Sequence, residues 1–321
     1  MAYLAGVKSA YRDWTRAPER GSPGLLALIV RLARWFPREP VSLLLYPIVT
    51  YFVTFSPRQV AASRHFLGRV WNRPPLWSEV FAHYMTFARM VLDRVYWLSR
   101  AEHGIPVRVH GVEVIEAALA RRTAGLIVVG SHLGSFEALR GAGERVCGRR
   151  IRPLMYVANA RKVQQVLDAV NPELKRDVIF AGRTGTMLEI REAIEHGHIV
   201  GILADRSPFA ERTMTANFMG QPAPFPVGAY RLAALLGVPV VFSCAVLSGK
   251  GYEIYFEAMG EPPAGGSRVA RERWIVEQVA SFVRHLEHHA RTYPLNWFNF
   301  YDFWSGGSTQ SSAPGAAGPS R

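Results

Sequence analysis

A histidine and a glutamate stand five places apart in "SHLGSFE" (131–137), directly after the apolar run "GLIVVG" (125–130). A neutral imidazole can take a proton near neutral pH. A carboxylate on its other nitrogen fixes the tautomer and stabilises the protonated form. His132 and Glu137 are therefore candidates for a general base and its orienting group. The spacing alone carries little weight: ten histidines and 25 acidic residues in 321 give about 0.8 such pairs by chance, and one occurs. Five residues turn through about 140° on a straight helix, so the two would not share a helical face. They can meet only if His132 lies in a turn and the helix starts after it. Gly130 and Gly134 permit a tight turn, Ser135 suits the N-cap, and Glu137 then falls in the first helical turn. The bland alternative is a loop histidine beside a glutamate favoured by the helix dipole.

Other chemistries find no residues. There is no G-x-S-x-G elbow for a serine nucleophile, although Ser131 adjoins His132. "GAGERV" has Val146 where a dinucleotide fingerprint needs a small residue, and no P-loop pattern occurs. His196 and His198 flank one glycine without a third ligand, so no zinc site is expected. Cys147 and Cys244 are far apart and read as small core residues in a reducing compartment.

The elements around the pair change in texture along the chain. Residues 1–100 read as nearly all helix. Two apolar stretches, 24–36 and 41–55, are interrupted by Arg31, Arg34 and Pro47. Neither reaches the uninterrupted length of a spanning helix, and Trp14, Trp35, Tyr46 and Tyr51 suit a helical region lying in a membrane interface. A buried hairpin is the alternative. The first twenty residues are mixed and charged, so no cleavable signal is expected. From about 101 to 304, strand patterns such as "VRVHGVEVI", "GLIVVG", "RPLMYVA", "DVIFAG", "IVGILAD", "VPVVFSCAVL" and "GYEIYFEAM" alternate with helical ones. That predicts an α/β domain with a mixed, largely parallel sheet flanked by helices. Residues 305–321 are Gly/Ser/Pro/Ala-rich and read as a disordered tail. The net charge of +13 suits an anionic partner. No basic recognition helix or Gly-rich RNA motif points to nucleic acid.

The "SHLGSFE" turn resembles the H-x4-D/E block of the glycerophospholipid and lipid A acyltransferase superfamily. Further blocks follow in the family's order. They are "RPLMYVANARKVQQVL" (152–167), "LEIREAIEHGHIVGILADRSP" (188–208) and "NFMGQPAPFPVGAYRLAALLGVPVVF" (217–242). The pattern is most similar to the late (lauroyl/myristoyl) acyltransferases of lipid A biosynthesis, a component of lipopolysaccharide. The resemblance covers about 25–304. It implies an enzyme without a cofactor, working at the cytoplasmic face of the inner membrane. It would move an acyl chain from an acyl carrier protein or coenzyme A thioester to a hydroxyl of a lipid or glycolipid. His132 would take the hydroxyl proton and Glu137 would orient His132. An arginine would stabilise the oxyanion: Arg152 is the first choice, with Arg183 and Arg206 as rivals and Asp205 as a carboxylate to orient one of them.

The chain departs from that family near residue 300. Where a Trp-His-Arg-Arg-Phe-like run is expected, it reads "YPLNWFNFYDFW" (293–304). This weakens a lipid A acceptor. Acyltransferases of aryl-polyene or xanthomonadin-type pigment pathways look similar here. A lipid-binding protein that keeps the fold without catalysis is the remaining alternative.

Overall fold

The computed structural model describes residues 28, 30–33, 35–98, 104–120, 124–156, 177–206 and 212–304. The expectations for residues 1–27 (Trp14 among them), for Arg34, for the second half of the 152–167 block, for Ser207 and Pro208, and for the tail lie outside these.

Among the described residues, 28, 30–33 and 35 are helical, and four helices follow: α1 (Arg38–Ser42), α2 (Leu45–Phe55), α3 (Pro57–Trp71) and α4 (Trp77–Leu98). The break in the 41–55 stretch falls at Leu43 and Leu44 rather than at Pro47. Pro47 sits in the first turn of α2, where its missing N–H has no helical partner to lose. Pro57 opens α3 in the same way, and the chain bends by 95° between Arg38–Phe55 and Pro57–Trp71. Among the described residues no single helix is long and apolar enough to cross a membrane, although that bent pair together has the length and composition.

Seven strands form the main sheet: β1 (Val107–His110), β2 (Leu126–Gly130), β3 (Ile151–Tyr156), β4 (Ile179–Ala181), β5 (Ile199–Leu203), β8 (Val240–Ser248) and β9 (Gly251–Gly260). Their order is β1-β9-β8-β2-β5-β3-β4. β8, β2, β5, β3 and β4 all run the same way; β9 is antiparallel to β8, and β1 follows β9. Helices α5 (Val112–Ala120), α6 (Phe136–Cys147), α7 (Thr186–Glu195), α8 (Gly228–Leu236) and α9 (Arg268–Thr292) flank it. The sheet is thus mixed and mostly parallel, as the alternating pattern predicts.

β2 is buried at all five positions, which its unbroken apolar sequence requires of a central strand covered on both faces. Ile127 and Val129 point into a core shared with Val41, Val49 and Phe66 of the first helices and with Phe225 and Phe282. Leu126 and Val128 point the other way, onto Ile115, Ala138 and Leu139 of α5 and α6. One apolar core therefore joins the helical region to the sheet.

Two local expectations are corrected. "VRVHGVEVI" is a strand only to His110. Gly111, at φ +76°, lets the chain turn so closely past Phe256 that a Cβ would lie 2.0 Å from its carbonyl oxygen, and α5 follows. A hairpin, β6 (Thr213–Phe218) and β7 (Gln221–Pro226), stands where no strand was expected. Prolines 222, 224 and 226 fall opposite Asn217, Thr215 and Thr213, alternating with Gln221, Ala223 and Phe225. The prolines share one alternate set of positions, so the intervening residues still carry the ladder N–H groups.

Candidate active site

β2 and β5 are neighbouring parallel strands, with Gly130 level with Leu203. Both chains leave the sheet on the same edge, the end where open α/β sheets place ligands. The first delivers His132 two residues past its end, and the second delivers Asp205 and Arg206.

The 131–135 turn is held on three sides. The Ala204 N–H bonds the Gly130 carbonyl at 2.8 Å. The Ser135 N–H reaches the Ala245 carbonyl of β8 at 2.7 Å, and the Gly134 N–H reaches the Asn296 carbonyl at 2.9 Å. The Phe298 N–H donates to the His132 carbonyl at 2.9 Å. Gly134 is at φ +86°, and a Cβ there would lie 2.0 Å from the Ala245 carbonyl oxygen. No other residue fits that crossing without moving a strand. Ser135 then caps α6 through the Ala138 N–H, as expected.

His132 Nδ1 lies 2.8 Å from Asp205 Oδ1, and the His132 backbone N–H donates to Asp205 Oδ2 at 3.1 Å. A carboxylate only accepts, so Nδ1 carries the proton. Nε2 is left with its lone pair and accepts from Arg206 Nε at 3.2 Å. The site is therefore carboxylate, neutral imidazole and guanidinium in a row. The imidazole is 30% exposed while the Asp205 side chain is 1% exposed. Packing around the ring, then the adjacent Arg206 cation, lower the His132 pKa, against the opposing pull of Asp205. Burial alone would raise the Asp205 pKa, but the imidazole and Arg206 outweigh it and keep the carboxyl ionised. At neutral pH the ring is an unprotonated base already in one tautomer.

Glu137 does not orient His132. It sits in the first turn of α6 as expected, but its carboxylate pairs with Arg94 of α4. Asp205, anticipated as a partner for an arginine, holds the imidazole instead. Arg152 is not at the site either. It shares the level of Val200 and Ile127, three residues or about 10 Å before the end of β2. There it donates to Glu189 at 2.6 Å and to the Asp177 carbonyl at 3.3 Å. Arg183 follows β4, three strands or about 14 Å from β2 across the sheet, and lies over the Phe180 ring. Of the three arginines, Arg206 alone meets His132.

Sequence reasoning missed several neighbours. Tyr301 lies under Arg206, with the guanidinium carbon 5.4 Å from the ring centroid. The Tyr230 hydroxyl is buried beside Asp205 without a hydrogen-bond partner. His83 of α4 contacts the Trp297 carbonyl through Nε2 at 3.1 Å and Ser63 Oγ through Nδ1 at 2.8 Å. The aromatic density of 293–304 was the available signal, but it gives no direction for any one ring. A cavity of about 370 Å³ between β6 and α9, lined by Ala216, Val283 and Glu287, touches none of the site residues. Among the described residues no group of three or more His, Cys, Asp or Glu is placed to hold a metal ion. The chain matches no protein-family model and no curated protein in sequence.

Proposed function

We propose that this chain is an O-acyltransferase acting on a lipid or glycolipid hydroxyl at the cytoplasmic face of the inner membrane. What carries the reading is the His132 imidazole, with its Nδ1–H donated to the buried Asp205 carboxylate and its Nε2 lone pair facing a cation. An acceptor hydroxyl replaces the Arg206 bond at Nε2 and gives its proton to that nitrogen. Its oxygen then attacks the carbonyl carbon of an acyl carrier protein or coenzyme A thioester. The displaced guanidinium is the cation at hand to stabilise the tetrahedral oxyanion. The carbon–sulfur bond breaks, and the thiolate leaves with the proton from the imidazolium. Asp205 stabilises that imidazolium throughout, the part first assigned to Glu137.

Lipid as acceptor is supported by the apolar side chains that residues 35–77 leave uncovered. Trp35 is 80% exposed, Leu43 65% and Trp77 62%, with Phe36, Tyr46, Tyr51 and Phe55 also exposed. Exposed aromatic and aliphatic side chains on a chain of net charge +13 fit an anionic bilayer surface.

The test compares His132→Ala with wild type on acyl carrier protein and coenzyme A thioesters, with membrane lipid as acceptor. Loss of at least about a hundredfold in kcat is expected from removing the base. Transfer at the wild-type rate by the variant sinks the mechanism.

A further inference from the structure

Arg206 leaves the sheet at the end of β5 on a long flexible side chain. A cation that must meet a single nitrogen needs a second anchor. Its guanidinium carbon stands 5.4 Å over the Tyr301 ring, and the guanidinium also hydrogen-bonds the Tyr301 side chain. Arginine has no acceptor atom, so the phenol oxygen accepts.

Tyr301 is itself firmly placed. The Asn299 side-chain amide donates to the Tyr301 carbonyl at 3.1 Å, and Phe303 packs 6.1 Å from its ring. Phe303 in turn meets Trp297, which is fully buried, at 5.0 Å. Trp304 Nε1 donates to the Phe218 carbonyl at 3.1 Å. This is the same short segment whose Phe298 N–H grips the His132 carbonyl. Two residues separate Phe298, whose contact fixes the base, from Tyr301, whose contact fixes the cation.

We propose that Tyr301 is a positioning residue that holds the Arg206 guanidinium beside the His132 ring, by its ring face and its hydroxyl together, so that the cation stays at the site when an acceptor hydroxyl takes its place on Nε2. Burial pushes the phenol up to about 12, so it stays neutral wherever the imidazole works. The charged groups acting on His132 are Asp205 and Arg206. Burial of the ring opposes Asp205 in any case; moving Arg206 away removes the second opposing influence and raises the His132 pKa. The inference rests on the acyl-transfer reading for its kinetics alone; the geometry it claims is independent of the reaction.

The experiment titrates the His132 ring by NMR in the full chain, labelled with 15N-histidine and held in detergent micelles. Wild type is compared with Tyr301→Phe, Tyr301→Leu and Arg206→Gln. Arg206→Gln raises the His132 pKa, Tyr301→Leu reproduces that rise, and Tyr301→Phe covers part of it by keeping the ring and losing the hydroxyl. On thioester and lipid, Tyr301→Phe lowers kcat about tenfold with the donor KM unchanged, the scale of one hydrogen bond to a charged group. His132 titrations in the two Tyr301 variants that superimpose on wild type overturn the proposal. If circular dichroism shows Tyr301→Leu unfolded, the near-isosteric Tyr301→Phe decides, and an unshifted His132 overturns it. If no thioester supports transfer in wild type, the acyl-transfer reading fails while the titration still decides the role of Tyr301.

Discussion

His83 makes the stability of the protein sensitive to acid in a calculable way. The ring is fully buried against Phe66, Phe298 and Phe300. In the neutral form both nitrogens are used: Ser63 Oγ donates to Nδ1, and Nε2 donates to the Trp297 carbonyl. Protonation would place a charge in that apolar surrounding, so burial pushes its pKa down to about 4 from 6.5 for a free imidazole, despite the Trp297 carbonyl. The unfolded chain therefore takes up the proton first as pH falls. The contribution of His83 to stability is fully present above pH about 6.5 and drains away towards pH about 4. The gap of about 2.5 units corresponds to about 3 kcal/mol in all, of which about 2 kcal/mol is lost by pH 5. Other groups titrate in the same window, so the quantity to measure is a difference. Urea unfolding of wild type and His83→Gln at pH 7, 6, 5 and 4.5 yields stability against pH for each. The wild-type curve should fall more steeply by about 1 kcal/mol per pH unit between pH 5 and 6, whatever the offset between the proteins. Parallel curves would show that His83 binds no extra proton on unfolding and would refute the burial reasoning.

Three further outcomes follow from the site. Asp205→Asn should lower kcat by about a hundredfold to ten-thousandfold, because an amide does not stabilise the imidazolium and can hold the wrong tautomer. Glu137→Gln should cost less than about tenfold, since that carboxylate serves Arg94; steady-state kinetics with one thioester ranks the two, and the opposite ranking rejects the assignment. Gly134→Ala should lose roughly 2 kcal/mol or more in chemical denaturation, because neither the positive φ nor the Ala245 carbonyl leaves room for a methyl group; unchanged stability would mean the turn is not held as described.

How much could be read beforehand depended on how local each feature is. β2 is a continuous apolar run and β8 nearly so, broken by Ser243, and burial on both faces is the physical reason for the pattern. Ser135 and Glu137 were legible as cap and first turn because capping is a matter of three or four adjacent residues. The direction of the Glu137 side chain was not legible, because Arg94 on another helix competes for it. Asp205 could be placed at the end of a strand but not beside His132. That adjacency depends on β5 lying next to β2 with a register aligning Gly130 and Leu203, and periodicity does not encode strand order. The β6–β7 hairpin was hidden by its prolines. They argue against a central strand, and only the two-stranded pairing, with its tight turn at Met219 and Gly220, reconciles them with a ladder.

The pin that residues 296–298 put on the 131–135 turn also sets an order of events during synthesis. Helices α1–α4 leave the ribosome before the sheet and can meet a bilayer while it is still unmade. His132 emerges next, then Asp205 and Arg206 more than seventy residues later. A chain halted short of Asn296 would own all three, yet its Gly134 N–H and His132 carbonyl would have no strap to bind. Assembly of the site would then trail attachment to the surface by most of the chain. A nick between Thr292 and Asn296 in the finished protein would cut the same strap while leaving every strand of the main sheet intact.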